Sequence, residues 1–199
     1  MTNFLTYHKN NISVLSWNIQ SLNSKFNEFT GLIQLLEDKS LHFDVICLQE
    51  SWLSEEDNYN LFKIDNYSCY KKDIENDCSS HGGLVIYVRN EIHVNKTEII
   101  HDKRTYEGIA ITIKTVENKK VKIINIYRPP RETFDEFINN FVPTISDQIK
   151  NTNEVIVAGD FNLNLLNLNN RKIYIHFDHM LNLQLIPKFT FPTHFLDKT

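Results

Sequence analysis

The sequence predicts an α/β domain in which helices cover mixed β-sheets, and three observations lead to that fold class. The apolar run at residues 155–158 has the composition of a strand buried on both faces. Four apolar segments between residues 84 and 127 follow one another at close spacing, which predicts antiparallel hairpins. Residues 26–39 and 132–149 carry apolar side chains at helical spacing, which predicts amphipathic helices against the sheets.

The N-terminal part of the chain begins with a strand, a helix and a second strand. Residues 12–18 form the first predicted strand, which closes on the amide side chain of Asn18. The helix at residues 26–39 follows, and it covers one face of the sheet. Residues 43–50 form a second buried strand, which closes on the carboxylate of Glu50.

The middle of the chain is predicted to be mostly strand. Residues 54–57, a serine followed by three acids, have the composition of a helix start. Residues 67–71 form a short edge strand, and a polar loop then leads to a pair of glycines. The four closely spaced strands that follow occupy residues 84–89, 93–100, 106–114 and 120–127. Pro129 and Pro130 end strand pairing after the last of them.

The C-terminal part is predicted to contain two helices and the buried strand between them. Pro143 kinks or breaks the helix at residues 132–149. The buried strand closes on Asp160 and Asn162. A further helix is indicated by Ile173, Tyr174, Phe177, Met180 and Leu181, and residues 185–199 are extended.

Length and composition bound the class of protein. A chain of 199 residues with 41% hydrophobic content is predicted to be one globular domain, residues 1–199. The formal charge of −4 gives no basic footprint of the kind a nucleic-acid binder often shows. The three cysteines have no CxxC spacing, and no signal peptide or membrane-spanning run is present. We therefore expect a nuclear or cytoplasmic protein that is not secreted and contacts no membrane.

Polar side chains close several of the predicted strands. These are Asn18, Glu50, Tyr127, and Asp160 with Asn162. If the strand ends gather at one edge of two packed sheets, they form an oxygen-rich pocket. Such a pocket suits Mg²⁺, with Mn²⁺ as the alternative, whereas zinc would require histidine or cysteine ligands.

The reaction that matches this set of side chains is cleavage of a phosphate ester. Glu50 with Asn18 would hold the metal, and Asp160 would orient and deprotonate the attacking water. Asn162 and Tyr127 would donate hydrogen bonds to phosphate oxygens. The alternative interpretation of each residue is an ordinary strand end whose polar side chain bonds the backbone nearby.

Five segments of the chain carry a family resemblance. In order, they are Ser16-Trp17-Asn18-Ile19, Leu48-Gln49-Glu50-Ser51-Trp52, Gly82-Gly83-Leu84-Val85-Ile86-Tyr87, Ile126-Tyr127-Arg128-Pro129-Pro130 and Gly159-Asp160-Phe161-Asn162-Leu163. They resemble the motifs of the endonuclease/exonuclease/phosphatase superfamily. Trp52, the segment Tyr127-Arg128-Pro129-Pro130 and the late Phe191-Pro192-Thr193-His194 are most similar to the endonuclease domain of LINE-type, non-LTR retrotransposons.

This resemblance implies a DNase I-like, four-layered α-β-β-α sandwich with two mixed sheets and a divalent metal. It implies a DNA substrate, nicked to leave a 3′-hydroxyl that primes reverse transcription, and a reverse transcriptase domain in the parent polyprotein. The catalytic set would be Asn18, Glu50, Tyr127, Asp160 and Asn162, with Glu50 and Asn18 as metal ligands.

Three further residues are predicted to contact the substrate. Arg128 would supply an added cation at the phosphate. His81 would face DNA from its loop, the alternative being a plain loop residue, and Thr193 would touch substrate or lie in a proline-flanked turn. His176 and His179 share helical spacing and could bind metal, but a solvated helix face is the favoured interpretation.

The sequence departs from the family pattern at its end. Family members continue into two strands carrying an Ile-Asp pair and a Ser-Asp-His segment, which this sequence lacks. We therefore predict a domain truncated at its C-terminus, as a fragment of a polyprotein or as a decayed copy. Two alternative functions stay open: a catalytically dead remnant with weak nucleic-acid or protein binding, and an abasic-site repair nuclease or phosphatase of the same superfamily.

Overall fold

The computed structural model describes residues 12–74, 81–100, 105–115, 118–130, 133–150 and 152–188. Within these ranges the chain forms two four-stranded sheets and three α-helices. The strands are β1 (Val14–Asn18), β2 (Val45–Gln49), β3 (Tyr67–Lys72), β4 (Leu84–Arg89), β5 (Val94–Ile99), β6 (Glu107–Lys114), β7 (Lys120–Tyr127) and β8 (Glu154–Asp160). The helices are α1 (Leu22–Asp38), α2 (Phe134–Ile149) and α3 (Arg171–Asn182).

Both sheets mix parallel and antiparallel pairing. The first sheet has the order β1-β2-β4-β3 and the second has the order β5-β6-β7-β8. The pairs β1/β2 and β7/β8 are parallel, and all the other pairs are antiparallel. The predicted α/β class with mixed sheets is confirmed.

Three apolar cores separate four layers. Phe29 and Ile33 of α1 pack on the outer face of the first sheet. Isoleucine, valine and leucine side chains of β2, β4, β6 and β7 fill the space between the two sheets. Phe137 and Phe141 of α2, with Met180 of α3, cover the outer face of the second sheet. The order of layers is therefore helix, sheet, sheet, helices, as the resemblance implies.

Some local predictions differ from the structure. Residues 54–57 form a turn in which Asp57 Oδ2 accepts the N–H of Ser54. The predicted helix does not start there. A short 3₁₀-helix, Tyr59–Phe62, comes next, capped by Asn58. Helix α2 continues through Pro143 instead of breaking there.

Strand β8 is less buried than its composition predicts. It is the outermost strand of its sheet in the part of the chain that the structure describes, and its residues are half-buried or exposed. The apolar run shows only that the side chains of β8 are apolar. How deeply they are buried also depends on whether a further strand lies beside β8. None of the described helices is long and apolar enough to cross a bilayer.

His176 is buried, which corrects the prediction of a solvated helix face. Only 3% of its surface is exposed, and its ring lies 5.3 Å from that of Phe161 and 6.5 Å from that of Phe137, centroid to centroid. Its Nδ1 atom has no hydrogen-bond partner among the described residues. Burial, with smaller contributions from the positive charges of His179 and Arg128, lowers the pKa of His176 to about 4.

Acidification is expected to destabilise the fold through His176. The unfolded chain takes up this proton near pH 6.5, but the folded chain does so only near pH 4, so stability falls as pH drops through that window. Between pH 7 and 5 the loss attributable to this group is about 2 kcal/mol. Urea unfolding at several pH values measures it, with His176→Phe as the non-titrating control. Identical pH dependence in the two proteins would contradict the prediction.

Candidate active site

The site lies where the parallel strand pairs of the two sheets end. Asn18 closes β1 and Asp160 closes β8, while Glu50 follows β2 directly. Asn18 lies level with the end of β2, and Tyr127 lies level with Asp160 across β7 and β8. Because parallel strands end at the same edge of a sheet, each pair delivers two polar residues to one place.

Asn18 joins the two sheets at this edge. Its Nδ2 donates to Glu50 Oε1 at 2.6 Å and to Asp160 Oδ2 at 2.7 Å. Asn18 and Asp160 are 142 positions apart in the sequence. The structure thus brings together the three residues predicted to bind the metal and to activate water.

The backbone around Glu50 is held in an unusual conformation. Glu50 has a φ of 52° and Trp52 a φ of 55°, the left-handed region that side chains seldom occupy. Backbone hydrogen bonds from Ser51 to Gly83 and from Trp52 to Gly82 fix this turn against β4. A turn over-determined in this way aims the Glu50 side chain at one position.

Trp52 contacts Glu50 directly, and sequence reasoning gave it no role in the site. Its Nε1 donates to Glu50 Oε2 at 3.3 Å. The two carboxylate oxygens therefore have different partners, Asn18 on one side and Trp52 on the other. The sequence signal that could have predicted this contact is a tryptophan two positions after a carboxylate that closes a strand.

Tyr127 faces the two carboxylates as a protonated phenol. Burial raises its pKa, and the negative charges of Glu50, Asp160 and Glu107 raise it further. The phenol therefore keeps its proton at neutral pH and remains a hydrogen-bond donor.

Asn162 fixes the turn after β8. Its N–H donates to Asp160 Oδ1 at 2.9 Å, and its Nδ2 donates to the Arg128 carbonyl at 2.7 Å. Asp160 thus accepts one hydrogen bond on each oxygen, from Asn162 and from Asn18. The side chain of Asp160 is oriented by both.

The sequence predicts that Arg128 is a cation facing the phosphate. In the structure it lies beneath this turn instead. Its side chain is buried, with Nη1 donating to the Phe161 carbonyl at 3.2 Å. The guanidinium carbon lies 5.3 Å from the centre of the Phe137 ring. This placement ties the loop that carries Asn162 to α2.

The two other predicted substrate contacts are His81 and Thr193. His81 is exposed, and its ring packs edge-on against Trp52 with 4.9 Å between centroids. It therefore packs on the tryptophan that donates a hydrogen bond to Glu50. Thr193 falls outside the described residues.

A buried polar bridge supports the site from below, and sequence reasoning missed it. Gln49 Nε2 donates to Asn125 Oδ1 at 2.6 Å, while Asn125 Nδ2 donates to the carbonyls of Leu48 and Val85. Asn125 is fully buried between the sheets. Because these bonds cross from one sheet to the other, they fix the distance between the strand ends.

The donor set fits a hard divalent cation. Asn18 Oδ1 is buried and has no hydrogen-bond partner among the described residues, which leaves it available as a ligand beside Glu50. No cluster of three or more histidine, cysteine or acidic side chains suited to a metal occurs among those residues. One carboxylate and one amide oxygen match Mg²⁺, which keeps several of its own waters, better than zinc.

Comparison with known families gives one match that spans most of the chain. A model described as "Endonuclease/Exonuclease/phosphatase family" matches residues 15–197. This range contains every candidate site residue named above.

Three solved structures share the fold. A humanized TDP2 from D. rerio is 19% identical over 89% of this chain and 72% of that chain, with a TM-score of 0.58. The catalytic domain of human Nocturnin is 17% identical over 88% and 71%, with a TM-score of 0.62. The 3′ phosphatase NExo from Neisseria, bound to a product DNA hairpin, is 15% identical over 87% and 71%, with a TM-score of 0.64. Neither the family match nor these structures single out the retrotransposon branch.

Proposed function

The chain belongs to the endonuclease/exonuclease/phosphatase family, and from this premise we propose that it is a metal-dependent phosphodiesterase that nicks DNA. The observation that carries the proposal is the amide of Asn18, which holds Glu50 and Asp160 together at the joined ends of the two sheets. A carboxylate for a cation and a carboxylate for water are the two parts that hydrolysis of a phosphodiester requires.

Glu50 and Asn18 Oδ1 would hold Mg²⁺ or Mn²⁺. A bound cation of this kind would offset negative charge on the phosphate and on the leaving oxygen. Trp52 and the left-handed turn keep the Glu50 carboxylate in position for it. Because Asn18 bonds both carboxylates, it also sets their separation.

Asp160 would orient the attacking water and accept its proton. Its two oxygens are fixed by Asn162 and Asn18, so the carboxylate is already oriented before substrate arrives. Tyr127, which keeps its proton, would donate to a phosphate oxygen. Arg128 would act by holding the loop that carries Asn162, since its guanidinium is buried.

Within the family, we place the chain with the LINE-type retrotransposon endonucleases. The support is the motif set of the sequence, in particular Trp52 after Glu50 and the prolines after Arg128. On this proposal the product carries a 3′-hydroxyl that primes reverse transcription, and the partner is a reverse transcriptase domain of the same polyprotein.

The direct test is to incubate supercoiled plasmid with the protein in Mg²⁺, in Mn²⁺ and in EDTA. We expect nicked circles with either cation and none in EDTA. Without the cation, nothing bound by Glu50 and Asn18 would offset the negative charge on the phosphate and on the leaving oxygen. The nicked product should be extended by a DNA polymerase without prior phosphatase treatment, since its end is a free 3′-hydroxyl. A 3′-phosphorylated oligonucleotide assayed in parallel detects the phosphatase alternative. Nicking of equal rate in EDTA, or no nicking at all, would refute the proposal.

A further inference from the structure

A second polar groove lies on the outer face of the second sheet, at the end of β6 and β7 remote from Tyr127. It has a volume of about 400 Å³, between the strands and the C-terminal end of α2. Five lysines line it, and we call it the lysine groove: Lys96, Lys114, Lys120, Lys122 and Lys150. The carboxylates in its lining are Glu98 and Asp147, so the net charge of the lining is +3.

Two of the lysines oppose each other directly. Lys114 of β6 is the register partner of Lys120 of β7, and both are exposed. Neither side chain forms an ion pair with another described residue. Like charges opposite each other on antiparallel strands are destabilising, so this pair is a cost to the folded chain that a bound anion would relieve.

The floor of the groove is a network of hydrogen bonds and ion pairs around Lys122 and Glu98. Lys122 is buried, and its Nζ lies 2.8 Å from Gln148 Oε1 and 3.2 Å from Glu98 Oε2. Lys96 occupies the other oxygen of Glu98 at 2.8 Å. Burial alone would raise the pKa of Glu98, but its bonds to the two lysines keep that pKa below the ordinary value. Glu98 therefore stays ionised and is already shared by two cations.

The simpler interpretation is a solvated basic surface. Lys150 follows the last turn of α2, where a cation is favourable next to the helix dipole, and it also pairs with Asp147 at 2.6 Å. That explanation covers Lys150 but leaves the opposed pair Lys114 and Lys120 without one. The chain has a net charge of −4 but gathers five lysines around one concave surface, and such a concentration of positive charge favours an anion.

We propose that the lysine groove binds the phosphates of a nucleic-acid backbone outside the catalytic pocket. The inference rests on the proposed function for the identity of the anion. Lys122 lies five residues before Tyr127 on β7, which corresponds to about 17 Å along an extended strand. The groove and the catalytic pocket therefore lie at opposite ends of β7, and α2 covers the sheet face between them. The groove would hold a stretch of nucleic acid apart from the one that is cut.

The test uses a triple variant, Lys114→Gln, Lys120→Gln and Lys150→Gln, which leaves the Lys122 and Glu98 contacts intact. The matched control replaces Lys39, Lys63 and Lys188, exposed lysines outside the groove, by glutamine. Binding of a labelled DNA duplex is followed by fluorescence anisotropy in EDTA between 50 and 200 mM salt. Each lost phosphate contact lowers the slope of log K against log salt by about 0.9. We expect the slope to fall by about 2 to 3 in the groove variant and to stay within about 0.5 of wild type in the control.

Equal slopes in the groove variant and the control would overturn the proposal. Sodium tripolyphosphate provides a second measurement. If it raises the melting temperature of wild type and not of the groove variant, while the DNA slopes are equal, the groove binds a free polyphosphate and the nucleic-acid assignment is wrong. Because these measurements are made in EDTA, they do not depend on catalysis. If the wild-type protein does not nick DNA but the salt slopes of wild type and the groove variant still differ, the proposed function alone is refuted.

Discussion

Asp160→Asn is expected to lower the rate of DNA nicking by about 10²- to 10⁴-fold, the contribution of a positioned general base. The substitution keeps the shape of the side chain and removes its charge. In the wild-type protein, Asn162 and Asn18 donate to the two carboxylate oxygens of Asp160. The amide of the variant can accept only one of these two hydrogen bonds. The initial rate of nicked-circle formation at saturating Mg²⁺ measures the effect.

Asp38→Asn is the matched control for this variant. Asp38 is exposed at the end of α1 and bonds only to Gln34 among the described residues, so nicking should stay within about two-fold of wild type. Thermal melting of both variants separates a chemical effect from unfolding. Nicking by Asp160→Asn at the rate of Asp38→Asn would show that Asp160 does not act on the attacking water.

The grouping of Asn18, Glu50 and Asp160 could be predicted because it depends on local signals. Each residue closes an apolar run, and a run of that kind predicts where a strand ends. Parallel pairing then brings neighbouring ends to one edge. What the sequence could not supply was the contact itself, the amide of Asn18 between two carboxylates, which depends on how the two sheets pack.

Arg128 and His176 show where local reasoning stops. The arginine follows a strand end, as Glu50 does, but its side chain turns into the core because Phe137 of α2 offers a ring to cover. In α3 the apolar pattern that indicated the helix included Tyr174 and Leu181, and both are more than half exposed. The buried stripe is Ile173, His176 and Met180. A histidine can take a core position there because phenylalanine rings from distant segments surround it.

The bridge between Gln49 and Asn125 is a different kind of omission. Gln49 ends the apolar strand β2, and Asn125 lies between isoleucines in β7. A buried amide requires a hydrogen-bond partner, so one such residue in each of two strands was a signal that they face each other. The structure places both below Glu50 and Asp160, where they hold the sheets that carry the site.

Gly159→Ala is expected to destabilise the fold by more than about 4 kcal/mol, the range of exceptional point substitutions. Gly159 has a φ of 146°, and a Cβ atom there would lie 2.0 Å from the carbonyl oxygen of Ile126, its partner on β7. The obstacle is backbone, so no side-chain rotation relieves it. The next bond in register is the Arg128 N–H to the Asp160 carbonyl, so separation of β8 from β7 would also displace Asp160. Urea unfolding and plasmid nicking should therefore both report the loss.

Gly31→Ala is the matched comparison, because it makes the same chemical change where the chain has room. Gly31 lies inside α1, and a Cβ atom there would meet nothing within 4 Å. Alanine is the better helix residue, so this variant should gain about 0.5 to 1 kcal/mol and nick DNA at the wild-type rate. If Gly159→Ala instead unfolds at the same urea concentration as wild type, the close approach of β8 to Ile126 does not exist. The placement of Asp160 beside Asn18 would then lose its structural basis, because that approach sets the position of the strand end.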